Sequence, residues 1–109
     1  MLPKPELIQG TLDFIVLKTL AAMGAQHGYG IALRIKQVSS DLMHLNQGSL
    51  YPALLRLEQR RLIRSEWGTS DNNRRARFYS ITKAGLAQLN TEVAAWRAAV
   101  ALVEKILEA

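Results

Sequence analysis

Residues 46–61 read Asn46-Gln47-Gly48-Ser49-Leu50-Tyr51-Pro52-Ala53-Leu54-Leu55-Arg56-Leu57-Glu58-Gln59-Arg60-Arg61. At about 100° per residue, Leu50, Ala53, Leu54 and Leu57 fall on one side of a helix, and Ser49, Pro52, Arg56 and Arg60 fall near the opposite side. One face is built to pack; the other is exposed and basic. Asn46 is the expected N-cap, because its side-chain oxygen can accept from a first-turn amide. Pro52 suits a position near the start, where N–H groups lack intrahelical acceptors. The spacing therefore predicts a helix from about Gln47 to Arg61.

Downstream, Ile63, Ser65 and Trp67 alternate with Arg64 and Glu66, the period of a strand. After the polar run Thr69-Ser70-Asp71-Asn72-Asn73, a second extended stretch puts Ala76, Phe78 and Ser80 opposite Arg77, Tyr79 and Ile81. Together they predict a β-hairpin with a polar tip, Arg74 and Arg75 standing where the tip meets the second strand. Upstream, Leu12, Ile15, Val16, Leu20 and Met23 recur at helical spacing, starting at Gly10 or Thr11 and stopping at Gly24. Phe14, Leu17 and Ala21 form a second stripe on that helix, a surface that the last helix of a second copy could meet. His27-Gly28-Tyr29-Gly30 reads as a turn, followed by a short helix with Ile31, Ile35 and Val38 on one face and an end at Ser39-Ser40-Asp41.

Thr82 is the expected cap of a last helix reaching the C-terminus. Its residues Leu86, Leu89, Val93, Trp96, Val100, Val103 and Leu107 are spaced alternately by three and four, a heptad seam. About 25 helical residues extend roughly 38 Å, too far for so small a core to cover. Leu102 and Ile106 widen the stripe near its end. The seam is expected to be buried in part against the first helix and in part by a second copy of the chain, making a homodimer.

With 109 residues, of which 49% are apolar, one small core is expected, with little room for an enclosed active site. No cysteine is present, so disulfides and thiolate zinc sites are excluded. His27 and His44 lack metal-ligand spacing and are expected to be solvated or locally hydrogen-bonded. No metal, no cofactor and no nucleophile–base set is expected. Gly28-Tyr29-Gly30 does not make a phosphate-binding loop, because the later glycine and the preceding strand are missing. The start, Met1-Leu2-Pro3-Lys4-Pro5-Glu6, is unlike an export signal. Polar interruptions keep every apolar run short of the ~20 residues that cross a bilayer. A soluble cytoplasmic protein is expected, with no membrane partner.

The net charge of +5 is concentrated. Residues 56–77 hold Arg56, Arg60, Arg61, Arg64, Arg74, Arg75 and Arg77 against Glu58, Glu66 and Asp71, whereas the flanking segments are nearly neutral. All of these cations are arginine, whose planar fork of donors matches phosphate oxygens and guanine edges. That arginine-rich segment spans the third helix and the hairpin. Three helices followed by a hairpin is the order of a winged helix-turn-helix, in which the third helix enters the major groove and the wing meets the flanking backbone. The fold class expected is mainly α with a small β-hairpin: a winged helix-turn-helix domain over residues 1–82 and a C-terminal dimerisation helix over 83–109.

These residues also carry a family resemblance. Gly48-Ser49-Leu50-Tyr51-Pro52-Ala53-Leu54-Leu55-Arg56-Leu57-Glu58, then Leu62-Ile63, Arg74, Arg77-Phe78-Tyr79-Ser80-Ile81-Thr82 and Gly85 closely resemble the PadR family of bacterial winged-helix transcriptional regulators. Gly28-Tyr29-Gly30-Ile31 looks like that family's start of the second helix. The resemblance spans about residues 10–107, and the single last helix is similar to the short PadR subgroup. One departure is Arg61, where the family usually carries glycine. A left-handed cap there costs a non-glycine residue on the order of 1 kcal/mol. Either the cap is built differently or Arg61 offsets the strain by a contact.

Gln47, Ser49, Tyr51, Pro52, Arg56 and Arg60 on the third helix, and Arg74, Arg75 and Arg77 on the wing, are the expected DNA contacts. Five of them have a plainer alternative: capping for Gln47 and Ser49, packing beside Leu55 for Tyr51, and pairing with Gln59 or Glu58 for Arg56 and Arg60. Trp96 reads two ways, as a seam residue or, with Phe14, Leu17 and Val100, as the lining of a dimer cavity. The resemblance implies that a flat aromatic effector could stack in such a cavity. Trp67 reads as structural. The resulting expectation is a homodimeric regulator, a repressor released by a small molecule, on double-stranded DNA with a pseudo-palindromic operator. A dimeric protein-interaction module that does not read DNA is the rival, and an enzyme ranks third.

Overall fold

The computed structural model describes residues 11–109. Gly10, the alternative start of the first helix, and the Met1–Glu6 segment lie outside the described residues. The elements run α1 (Thr11–Met23), β1 (Gln26–His27), α2 (Gly28–Val38), α3 (Gln47–Gln59), β2 (Ile63–Thr69), β3 (Arg75–Ile81) and α4 (Lys83–Glu108). The fold is mainly helical with a small antiparallel sheet, a winged helix followed by a long C-terminal helix. The hairpin is joined by a third strand, giving the order β1-β3-β2. Gln26 and His27 pair with Tyr79 and Phe78, so the stretch read as a turn is a short strand and a helix start. His27 caps α2: its ring nitrogen accepts from the Gly30 N–H at 3.0 Å. The ring also meets Phe78 edge-on at 5.4 Å, which fixes α2 to the sheet.

The core is aliphatic. Val16, Leu17 and Leu20 of α1, Ile31 and Ile35 of α2, and Leu50, Ala53, Leu54 and Leu57 of α3 are all buried. Ile63 and Tyr79 close it from the sheet, and Leu89 from α4. The packing face of α3 is the one the wheel gives. On α1 the face is rotated: Leu17, read as an outward stripe toward a partner, is fully buried in its own chain. Val38 is exposed instead of buried, because α2 is at its last residue there and has passed the core.

Three local devices set the chain's path. Asn46 caps α3 by accepting the Ser49 N–H at 2.9 Å. Pro52, five residues beyond Gln47, offers no N–H to the Gly48 carbonyl, a loss softened by the exposure of Gly48 to water. At the other end Arg61 takes φ 60°, with its N–H bonded to the Glu58 carbonyl and the Leu62 N–H to the Leu57 carbonyl. The left-handed cap is thus formed by arginine in glycine's place. The Arg61 side chain has no hydrogen-bond or ion-pair partner among the described residues, so the strain is not offset by a contact. Arg61→Gly is expected to stabilise the fold by about 1 kcal/mol, raising Tm by about 4–8 °C in a calorimetric scan.

Helix α4 begins at the same junction. The Thr82 hydroxyl lies 2.8 Å from the Arg61 carbonyl oxygen and 3.0 Å from that of Leu62, sharing its proton between them. It also accepts the Gly85 N–H at 3.0 Å, capping the helix. Gly85 is buried there: a Cβ on it would lie 2.0 Å from the Leu62 carbonyl oxygen. Neither backbone can yield without moving the whole junction. Gly85→Ala is expected to cost about 2–4 kcal/mol, read as a lower denaturant midpoint with unchanged slope.

Candidate nucleic-acid interface

The residues of α3 divide by side. Gln47, Gly48, Ser49, Tyr51, Pro52, Leu55, Gln59 and Arg60 are exposed, while the opposite face is locked in the core. Capping is done by Asn46, so Ser49 contributes only its N–H, and its hydroxyl and the Gln47 amide have no partner among the described residues. Tyr51 is 44% exposed and reaches toward α2. Its ring lies on Gly28 at the start of α2, where a Cβ would come within 2.8 Å of the phenol oxygen. A larger residue at position 28 would push that ring outward. Tyr51 and Gln47 border an open cavity of about 230 Å³ shared with Tyr29, Leu33, Lys36 and His44. His44 is locally bonded, its Nε2 2.8 Å from the Asp41 carbonyl oxygen.

Arg56 leaves the solvent face. Its guanidinium reaches back to α1 and makes two bonds to Asp13, 2.8 Å from Oδ1 and 3.3 Å from Oδ2. The Asp13 hydrogen bond and then its charge hold the guanidinium's pKa above the ordinary value. The partner is therefore neither Glu58 nor Gln59. Nor do Arg56 and Arg60 stand opposite the buried face, the position expected from the sequence: on the wheel they lie about a quarter-turn from its centre, near the α1 flank, and the centre of the solvent face is held by Gly48, Pro52, Leu55 and Gln59. Sequence spacing alone could not find Asp13, 43 residues upstream.

The wing is tied to α3 by a polar chain. Ser65 donates to Glu58 and accepts the Arg77 Nε–H at 2.7 Å; Arg77 lies 3.9 Å from Glu58 Oε2. Burial, with the neighbouring charges of Tyr51 and Glu58, raises the Tyr79 phenol above its ordinary pKa, while Arg77 opposes the shift. Arg75 and Arg77 both cover the ring of Trp67, at 4.6 and 5.5 Å from its centroid. At the tip, Ser70 and Arg74 close the turn through their backbones, and Asn73 takes φ 58°. The Arg74 side chain is exposed and without an acidic partner among the described residues. Of the three wing arginines, Arg77 is tethered and stacked, Arg75 is stacked only, and Arg74 has no acidic partner among the described residues. The Glu58–Ser65–Arg77 chain escaped the sequence reading because it depends on strand register.

The α4 seam splits into two parts. Leu89 is buried and Val93 half-buried against α1, while Trp96 stands against Phe14 of the same chain, ring centroids 6.0 Å apart. Leu89 is thus a core residue of its own chain and not a free seam position. Leu86, at 45% exposed, Val100, Leu102, Val103, Ile106 and Leu107 remain open to solvent, Leu107 at 73%. Leu17, expected beside Phe14 and Trp96, is fully buried in the core of its own chain.

Residues 16–91 match the Transcriptional regulator PadR-like family. Among solved structures the chain is similar to a transcriptional regulator from Clostridium thermocellum, 28% identical with a TM-score of 0.81, over 90% of this chain and 94% of that one. It is similar to a PadR family transcriptional regulator from Eggerthella lenta, 29% identical with a TM-score of 0.79, over 92% and 84%. A PadR-like transcriptional regulator from Bacillus cereus is 25% identical with a TM-score of 0.77, over 93% and 95%. These relatives are transcriptional regulators, not enzymes. Among the described residues no helix is long and apolar enough to cross a membrane.

Proposed function

Because this chain belongs to the PadR-like family of transcriptional regulators, we propose that it acts in the cytoplasm as a homodimer on a pseudo-palindromic operator, as a repressor released by a small effector. The observation that carries the DNA-reading part is the shared placement of α3 and the wing. One polar chain, Glu58–Ser65–Arg77, holds the wing's Arg77 beside α3. In this reading Gln47, Ser49, Tyr51 and Pro52 enter the major groove, and Arg74, Arg75 and Arg77 bind phosphates beside it. Arg60 adds a backbone contact, and Arg56, held by Asp13, serves mainly to seat α3 on α1.

Residues 83–109 form the dimerisation unit in this reading. The exposed aliphatic end of α4 supports it, since a partner's α4 would bury Val100, Val103 and Leu107 across a two-fold axis. The Phe14–Trp96 pair, still 40% open at Trp96, would border the space between the copies, with Val100 one turn on. A flat aromatic effector stacked there would release DNA only by binding the dimer geometry that cannot span both half-sites more tightly. The test is a titration of the protein's own upstream DNA and of random duplex across salt. Specific binding that weakens steeply with salt is expected. Equal affinity for both duplexes from a folded dimer would support the protein-interaction reading instead.

A further inference from the structure

We propose that Trp67 is a positioning residue for DNA binding: its ring aligns Arg75 and Arg77 so that both guanidiniums meet the phosphate backbone together. The proposal rests on the DNA-binding reading above. Trp67 pairs directly with Arg77 across β2 and β3, and Thr69 pairs with Arg75, so Arg75 is the diagonal neighbour on the same face. That face also carries Ile63 and Tyr79, which are buried where the sheet covers the core. Two residues further out the alternation has run past the core, leaving Trp67 56% exposed. The half-open indole is covered there by two cations, both within the ~6 Å range at which an aromatic face attracts them.

Arg75 and Arg77 project from the same side of one strand and repel each other. Arg77 has a second anchor in Ser65 and Glu58, whereas Arg75 has no acidic partner among the described residues. The ring is therefore what holds Arg75, and it does so without neutralising its charge. A stacked guanidinium still presents its N–H edge outward, and the rotamer freedom that a flexible arginine loses on meeting a phosphate has already been lost. Because Ser65 ties this face to Glu58, the aligned pair stands beside α3 and meets the same duplex.

The test is a cycle of variants on one duplex: wild type, Trp67→Leu, Arg75→Ala/Arg77→Ala, and the combination. Leucine keeps apolar bulk on the strand and removes the π-face, so the fold is retained, as a thermal melt checks; Trp67→Phe serves as the conservative rescue. Trp67→Leu is expected to weaken binding about tenfold and to flatten the slope of log K against log salt, with Phe recovering part of both. In the Arg75→Ala/Arg77→Ala background the same change should cost nothing further. An equal loss in both backgrounds, or wild-type affinity in a folded Trp67→Leu variant, overturns the positioning role. Full affinity in Arg75→Ala/Arg77→Ala overturns the wing's part in DNA binding as well.

Discussion

Replacing Arg74, Arg75 and Arg77 together by alanine is expected to weaken operator binding by about 100-fold or more near 0.15 M salt and to flatten its salt dependence. Each phosphate neutralised contributes about 0.9 to the slope of log K against log salt. A dimer carries two wings, so even half of its six substituted arginines in contact gives a slope smaller by about three. Stability should hardly change, since all three side chains are exposed and exposed ion pairs contribute little. Fluorescence anisotropy at several salt concentrations, beside a thermal melt, measures both. A folded triple variant with the wild-type slope would remove the wing from the interface.

The second large effect concerns α4. Val103→Asp with Ile106→Asp places charges on an apolar stripe that is solvent-exposed within one chain, at 54% and 68%. The monomer's core is untouched, because α4 enters it through Leu89 and Val93. Against a partner the same carboxylates would be desolvated without counter-charges, a cost of several kcal/mol per group. Sedimentation should show a folded monomer. With the half-sites no longer linked, operator affinity should fall by about 10²–10⁴. A variant that stays dimeric would place the two-fold contact elsewhere.

Much of this architecture follows from periodicity. The packed face of α3, the cap at Asn46, the two long strands and the cap at Thr82 were legible because local hydrogen bonding and alternation decide them. What escaped was settled by contacts distant in sequence. Asp13 claims Arg56 only once α1 and α3 pack, and Gln26-His27 becomes a strand only because β3 presents a free edge. Leu17 looked outward on a helical wheel because the wheel does not know that α3, α4 and the sheet surround α1 on several sides. Arg61 stood out only because the resembled family usually has glycine there; that it forms the left-handed cap, with no polar partner for its side chain among the described residues, took the folded chain to decide. The wing arginines were legible as a charge cluster; their division into tethered, stacked and unpaired required the register that sets Trp67 opposite Arg77.

The central claim is that two copies of α3 and two wings read one duplex. A hydroxyl-radical footprint of the protein's own upstream DNA tests it most directly. Two symmetric protected patches are predicted, their centres about 34–36 Å apart or a multiple of that, one per recognition helix. Uniform protection, or none above that of random DNA, from a protein shown to be folded and dimeric would contradict it.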